Sequence, residues 1–290
     1  MSRSMFLAAL IGLCIGAPAS AADAHHLFWT VPGKHNTVYL LGSVHVLKPD
    51  DSELPAEALH AYQVSPSLVM ELDLNSLTTD KVMTATLAQA QLPEGQSLAA
   101  TLGPDVYERL RTQAAPLGLD PAFMSHFQPW FVALTLEQLG LARAGYRADS
   151  GVDMQLAHQA QNDRKAIIGL ETAEEQLALF SQMSLPQQRQ FLQYTLDDLE
   201  ELPMELDELV EAWKHGDSAR LEKLMHEGYD KFPQLLNAML TDRNRKWVPR
   251  IAVMLNDDHD YLIVVGALHL VGHEGVIELL ARQGYHPVQH

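Results

Sequence analysis

The sequence predicts an α/β protein. A mixed central sheet is built from strands at both ends of the chain, and a large helical region between them covers the cleft. Three observations lead there. Apolar runs of strand length stand at 27–31, 37–42 and 67–72, and again at 261–265, and each is too apolar to stand alone. Between about 78 and 257 the apolar residues recur mostly at helical spacing. No linker or composition break divides the chain, so 23–290 reads as one domain with a helical insertion at about 78–257.

The elements follow in order. Residues 27–31 and 37–42 flank Pro32-Gly33-Lys34-His35-Asn36, a hairpin turn by composition. A short helix is expected over 55–61 and a buried strand over 67–72. Helical periodicity then covers 105–114, 129–142, 152–160, 172–182, 186–199, 204–214, 218–227 and 243–255. A short strand at 166–169 interrupts the helices. The chain closes with a strand at 261–265, a helix at 275–282 and an edge strand near 286–288.

Composition narrows the functional classes. Of 290 residues, 47% are apolar and 20% charged, a globular balance. Acids outnumber Lys plus Arg by 37 to 20, a formal net charge of −17. Gripping nucleic acid through its phosphates needs a basic surface, and anionic membranes make the same demand. Neither partner is expected. Segment 1–22 reads as a secretory signal: Arg3, an apolar stretch from Met5 to Gly16, and the small residues Ala19-Ser20-Ala21. That stretch is shorter than the ~20 apolar residues of a bilayer span, so no stable membrane insertion is expected after cleavage. The single cysteine, Cys14, lies inside it. The mature chain therefore offers no disulfide, thiolate nucleophile or cysteine ligand. Export to the periplasm or the medium is the expected location.

Two strings look alike: Tyr39-Leu40-Leu41-Gly42-Ser43-Val44-His45-Val46 and Ile263-Val264-Val265-Gly266-Ala267-Leu268-His269-Leu270. Each is an apolar strand followed by Gly, two residues and His. Both histidines thus come at the carboxyl end of a strand, where α/β sheets present ligand-binding groups. The glycine allows a sharp turn or a close approach. Between them lies Glu71 in Val69-Met70-Glu71-Leu72-Asp73. An acid in an apolar strand needs a partner or a cation. The interval from His45 to Glu71 has the length of a strand–helix–strand unit, which predicts that these two strands end side by side. Asp73 shares the face of Glu71 by the period of two. Two imidazoles and a carboxylate suit Zn, Mn, Co or Fe, and a metal with an open position activates water.

Other residues have plainer roles to set beside functional ones. Arg243 stands at an expected helix start, with Thr241 or Asp242 as cap, and can serve an oxyanion or a surface ion pair. Asp153 and Glu171 read as structural acids at helix starts. His273 follows His269 by four positions, but Gly272 weakens a zincin-like helix there. His126 reads as the anchor of a helix start. Asp23-Ala24-His25 would bind Cu(II) only after one particular cleavage. No Gly-x-Ser-x-Gly string occurs, although Ser43 can share a face with His45 and leaves a serine nucleophile open.

In order and spacing these residues resemble the TraB/GumN family, which includes the Tiki metalloproteases. The resemblance rests on Gly42-Ser43-Val44-His45, Glu71-Leu72-Asp73, Gly151-Val152-Asp153, Gly169-Leu170-Glu171-Thr172 and Asp242-Arg243-Asn244. It continues in Gly266-Ala267-Leu268-His269-Leu270-Val271-Gly272, Gly275 and Gly284-Tyr285, and so covers nearly the whole mature chain. It implies an erythromycin-esterase-like fold with two related α/β halves around one cleft, a divalent ion (Mn or Co) and peptide-bond hydrolysis. His45, His269 and Glu71 match the residues the resemblance implies to be essential.

The expectation is an exported metallopeptidase acting on peptide or protein. His45, His269 and Glu71 are its metal set, Mn, Co or Zn its ion, and Arg243 steadies developing negative charge. Glu71 serves as ligand or as general base. The rivals are a metal-independent ester hydrolase of the erythromycin-esterase type, and a non-catalytic periplasmic protein binding metal, haem or polysaccharide.

Overall fold

The computed structural model describes residues 26–73, 79–229 and 233–290. The expected signal segment and Asp23-Ala24-His25 lie outside the described residues. Two compact units are present. One spans 26–73, 147–170 and 204–290 of the described residues; the other spans 79–146 and 171–203.

The first unit carries a mixed six-stranded sheet. Its strands are β1 (Phe28–Pro32), β2 (Thr37–Ser43), β3 (Ser67–Leu72), β4 (Ala166–Glu171), β5 (Tyr261–Gly266) and β6 (Val288–Gln289), in the order β4-β3-β5-β2-β1-β6. β1 and β2 form the expected hairpin, Phe28 opposite Leu41 and Pro32 opposite Thr37. Asn36 fastens its turn by donating from Nδ2 to the carbonyls of Met254 and His259 at 2.8 and 2.7 Å.

One expectation is corrected here. β2 and β3 do not end side by side, because β5 lies between them and is parallel to both. The register runs from Val38–Tyr261 to Ser43–Gly266 on one side and from Ser67–Tyr261 to Met70–Val264 on the other. Every residue of β5 is buried. A strand apolar on both faces takes the centre of a parallel sheet, and the less uniformly apolar β2 and β3 flank it. The carboxyl ends of β2, β5 and β3 therefore stand in a row.

Helices of this unit include Ala56–Val64, Val152–Asp163, Leu202–Lys214, Ser218–Tyr229, Asp242–Met254 and Val276–Arg282. The second unit is helical apart from the final residue of β4. Its longest helices are Pro129–Arg143 and Leu185–Asp198, joined by a Glu137–Thr195 hydrogen bond of 2.9 Å. Thr172 and Ser184 open two of its helices with reciprocal capping boxes. Helices Thr79–Ala90 and Leu98–Leu102 add to the expected set.

Asp242–Met254 also departs from expectation. Neither Thr241 nor Asp242 caps a fresh helix start. Thr241 is itself helical and makes no side-chain cap bond, and the helix continues from Pro233–Leu236 through a π-helical turn, Asn237–Thr241. Such turns insert one extra residue into a helix. No helix among the described residues is long and apolar enough to cross a membrane.

Candidate functional site

The row of strand ends gathers four of the sequence-predicted residues within the first unit. His45 lies in the loop after β2, Glu71 near the end of β3, and His269 at the end of a 3-10 turn that follows β5 directly. Arg243 reaches them from the first turn of Asp242–Met254. Asp73 lies just past the end of β3.

Glycines at the two strand ends serve by close approach. A Cβ on Gly266 would stand 3.2 Å from His45 Nε2, 3.3 Å from Glu71 Oε1 and 3.5 Å from His269 Cδ2. One bare Cα thus forms the floor under three site groups. A Cβ on Gly42 would meet Leu27 Cδ2 at 2.5 Å and the Ala267 Cα at 3.1 Å. Gly266→Ala is expected to leave melting temperature within about 3 °C of the parent. Displacing the groups above it by a few tenths of an ångström should lower any activity that those groups carry at least about tenfold. Full activity in a folded Gly266→Ala protein would contradict that packing role.

Glu71 is the hub. Its Oε1 accepts the Gly266 N–H at 2.8 Å, and its Oε2 accepts Arg243 Nη2–H at 2.5 Å. The Nε2 atoms of His45 and His269 each lie 3.9 Å from the same Oε1. Burial alone would raise this carboxyl. The imidazoles of His269 and His45, the Arg243 guanidinium and the Gly266 N–H outweigh burial and hold it near 2.

His269 is buried, and its tautomer follows from its partners. Arg243 Nη1 lies 2.9 Å from His269 Nε2; a guanidinium only donates, so Nε2 is the acceptor. The ring proton is then on Nδ1, donated to Asn244 Oδ1 at 2.6 Å. Asn244 is oriented in turn by donating Nδ2–H to the Glu274 carbonyl at 2.8 Å. Desolvation, aided by Arg243 and His45 and opposed by Glu71, pushes His269 down to about 3, so it is neutral at pH 7. The charges that hold Glu71 ionised at neutral pH are therefore Arg243 and His45.

His45 is the opposite case. Its side chain is 58% exposed. Desolvation lowers it, but the Asp153 carboxylate 3.3 Å from Nδ1, together with the Glu71 charge, overcomes that and raises it to about 9. Asp153 owes its place to the two residues before it. A Cβ on Gly151 would stand 2.2 Å from the His45 carbonyl oxygen, and Val152 N–H donates to the Val44 carbonyl at 3.1 Å. Leu47 and Arg147 clasp the same loop through paired backbone bonds of 3.2 and 2.9 Å. Gly151-Val152-Asp153 is thus a seat, a clasp and a ring partner.

Reading Asp153 only as a structural acid is corrected by this contact. Asn244 and Trp247 are site residues that the sequence analysis does not assign. The ring of Trp247 is 4.4 Å from His269 and 4.7 Å from the Arg243 guanidinium carbon. The signal was present: 243, 244 and 247 fall together at helical spacing. Glu171 accepts from Gln176 at 2.7 Å. His273 does not join the site and pairs with Arg282 and Glu274; His126 belongs to the second unit. Ser43 is buried, and its Oγ has no hydrogen-bond partner among the described residues, so it forms no pair with His45.

The TraB/PrgY/gumN family model matches residues 27–289. The chain belongs to this family. Similar proteins include Uncharacterized protein YbaP of Escherichia coli (strain K12), 26% identical over 279 residues, 90% of this chain and 96% of that protein. Metalloprotease TIKI2 of Xenopus tropicalis is 26% identical over 328 residues, 94% of this chain and 61% of its own. Metalloprotease TIKI1 of Homo sapiens is 23% identical over 332 residues, 93% and 64% respectively. This TraB/PrgY/gumN chain therefore spans less than two thirds of the length of these two Tiki proteins. No solved structure matches it significantly.

The metalloprotease relatives raise the question of a metal. Among the described residues no group of three or more His, Cys, Asp or Glu stands drawn together around one point. The donor types nevertheless suit a divalent ion. Both imidazoles are held through Nδ1 by a side-chain oxygen, the usual outer support of metal-ligating histidine. Both Nε2 atoms face one carboxylate. Asp153 Oδ1 is buried without a partner among the described residues, an oxygen left for water or a cation. The 3.9 Å spacings are wider than the roughly 3.0–3.5 Å between ligands that sit about 2.1 Å from one ion.

Proposed function

We propose that this chain is an exported metal-dependent hydrolase acting on peptide bonds. Family membership and the distant metalloprotease relatives support the class. The observation that carries it is the convergence of His45 Nε2 and His269 Nε2 on Glu71 Oε1 at 3.9 Å each, from strand ends far apart in sequence. His45, His269 and Glu71 would hold Mn, Co or Zn. When bound, such an ion polarises a carbonyl and lowers the pKa of its water to roughly 7.

The chain's own residues do the rest. Asp153 and Asn244 keep both rings turned with Nε2 inward. Glu71 presents Oε1 to both rings, while its Oε2 is held by Arg243. Arg243 supplies fixed positive charge for the oxyanion that forms when a peptide carbonyl is attacked. His45, the most exposed member, is where substrate meets the site. The secretory pattern of segment 1–22 supports a substrate outside the cytoplasm.

The test is metal content and peptide cleavage by protein purified without a His tag. His45→Ala and His269→Ala are each expected to lose at least tenfold in bound Mn, Co or Zn, and at least about 100-fold in turnover. One observation favours a second reading, a metal-independent ester hydrolase on an erythromycin-esterase-like fold. Arg243 already satisfies His269 and Glu71, and His45–Asp153 is a complete acid–base pair. Undiminished turnover in excess EDTA would select that reading and reject the metal.

A further inference from the structure

Arg243 uses one of the atoms that a metal would need. His269 Nε2 has one lone pair, and it accepts Arg243 Nη1–H at 2.9 Å. Glu71 Oε2 is taken by Nη2–H at 2.5 Å. The Arg243 side chain is 8% exposed, and a buried cation is tolerable only when its charge is matched, here by Glu71. It is a resident cation in a cation site.

Resting on the metal reading above, we propose that Arg243 and a divalent metal are alternative occupants of His269 Nε2, beside Glu71. In the metal-free protein the guanidinium holds the two donors and keeps the buried carboxylate neutralised. Metal enters only as Arg243 withdraws from His269 Nε2, since one lone pair cannot serve both. Arg243 thereby sets the metal affinity of the site. Its withdrawal also frees the N–H groups that, in the proposed reaction, meet the developing oxyanion.

Free volume lies near the turn behind Arg243. Besides its two site partners, Arg243 Nη1 donates to the Met239 carbonyl at 2.9 Å, within the π-helical turn Asn237–Thr241. Asn237, Leu240 and Thr241 of that turn line a cavity of about 190 Å³ together with Asn244 and Leu268. The turn that bears the rear acceptor of Arg243 therefore borders free volume through the residues on either side of Met239. Trp247, 4.7 Å from the guanidinium carbon, gives the movement a spectroscopic witness.

The experiment is calorimetric titration of Zn²⁺ into EDTA-stripped parent, Arg243→Gln and Arg243→Lys. The heat abolished by His45→Ala defines the site. Arg243→Gln is expected to bind Zn²⁺ at least tenfold more tightly than the parent while its metal-free form melts lower, so that Zn²⁺ raises its melting temperature more. Arg243→Lys should fall between, since one ammonium matches the charge but not the two-pronged bridge. In the parent, Zn²⁺ should change the emission that Trp247→Phe removes, a signal that stands even if Arg243→Gln fails to fold. Equal or weaker Zn²⁺ binding by a folded Arg243→Gln, or a parent that binds Zn²⁺ with no change at Trp247, overturns this inference and leaves the metal reading standing. If no protein binds Zn²⁺, Mn²⁺ or Co²⁺ at the site, both fall.

Discussion

Glu71→Gln is expected to lower the proposed peptide turnover by about 10³-fold and global stability by about 3–5 kcal/mol, because the amide takes from the buried Arg243 cation the counter-charge that Glu71 gives it. Few surface acids would show either effect. Glu71 accepts from a backbone N–H and from a guanidinium and faces two imidazoles. The sign of its pH dependence follows from the depressed pKa. A carboxyl held near 2 stabilises the fold fully above its ordinary value near 4.5 and loses that contribution as pH falls from 4.5 toward 2. Parent and Glu71→Gln stabilities should therefore differ most at neutral pH and converge on acidification. Urea unfolding at pH 7 and pH 3 reads this directly. Equal stability at both pH values, with turnover retained, would remove Glu71 from the centre of the site.

The second large effect is expected from Asp153→Asn. The amide can still touch the ring but no longer offers a charge. His45 should then fall from about 9 toward its ordinary value near 6.5, visible in imidazole nitrogen shifts followed by NMR titration. Because the pKa of His45 is raised in the fold, its stabilising contribution is full below about 6.5 and lost as pH rises through about 9. Asp153→Asn should thus destabilise most below pH 6.5 and have no effect of this origin above pH 9. In the proposed reaction turnover should fall by about 10–100-fold, as when the partner behind a metal-ligating histidine is removed. A His45 that titrates at an unchanged pH in Asp153→Asn would break the assigned link between the two.

Much of this arrangement is legible in the order of residues. The hairpin at Pro32–Asn36, the buried strand ending in Val265-Gly266 and the amphipathic helices announce themselves through periods of two and 3.6 and through turn residues. Glu71 stands out because an acid inside Val-Met-Glu-Leu needs a reason. The repeated Gly-x-x-His marks both histidines. What periodicity does not carry is who sits beside whom. The interval between His45 and Glu71 fits a strand–helix–strand unit with β2 and β3 ending together, yet β5 takes the place between them. Asp153 is legible as a helix-start acid, but nothing local says that Gly151 seats it under the His45 carbonyl. Asn244 looks like any polar helix residue until His269 is found against it.

Types and spacings along the chain determined that this protein has apolar strands at both ends, helices between them, and two imidazoles and one buried acid at strand ends. Short-range sterics and burial periodicity suffice for that much. Only the tertiary structure decided that β5 is central, that Asp153 and Asn244 turn the rings, and that Arg243 spans Glu71 and His269. Those are contacts between residues from 25 to 223 positions apart. They are selected by which strand is apolar on both faces and by where a buried charge finds its match, quantities that exist only once the chain has closed on itself.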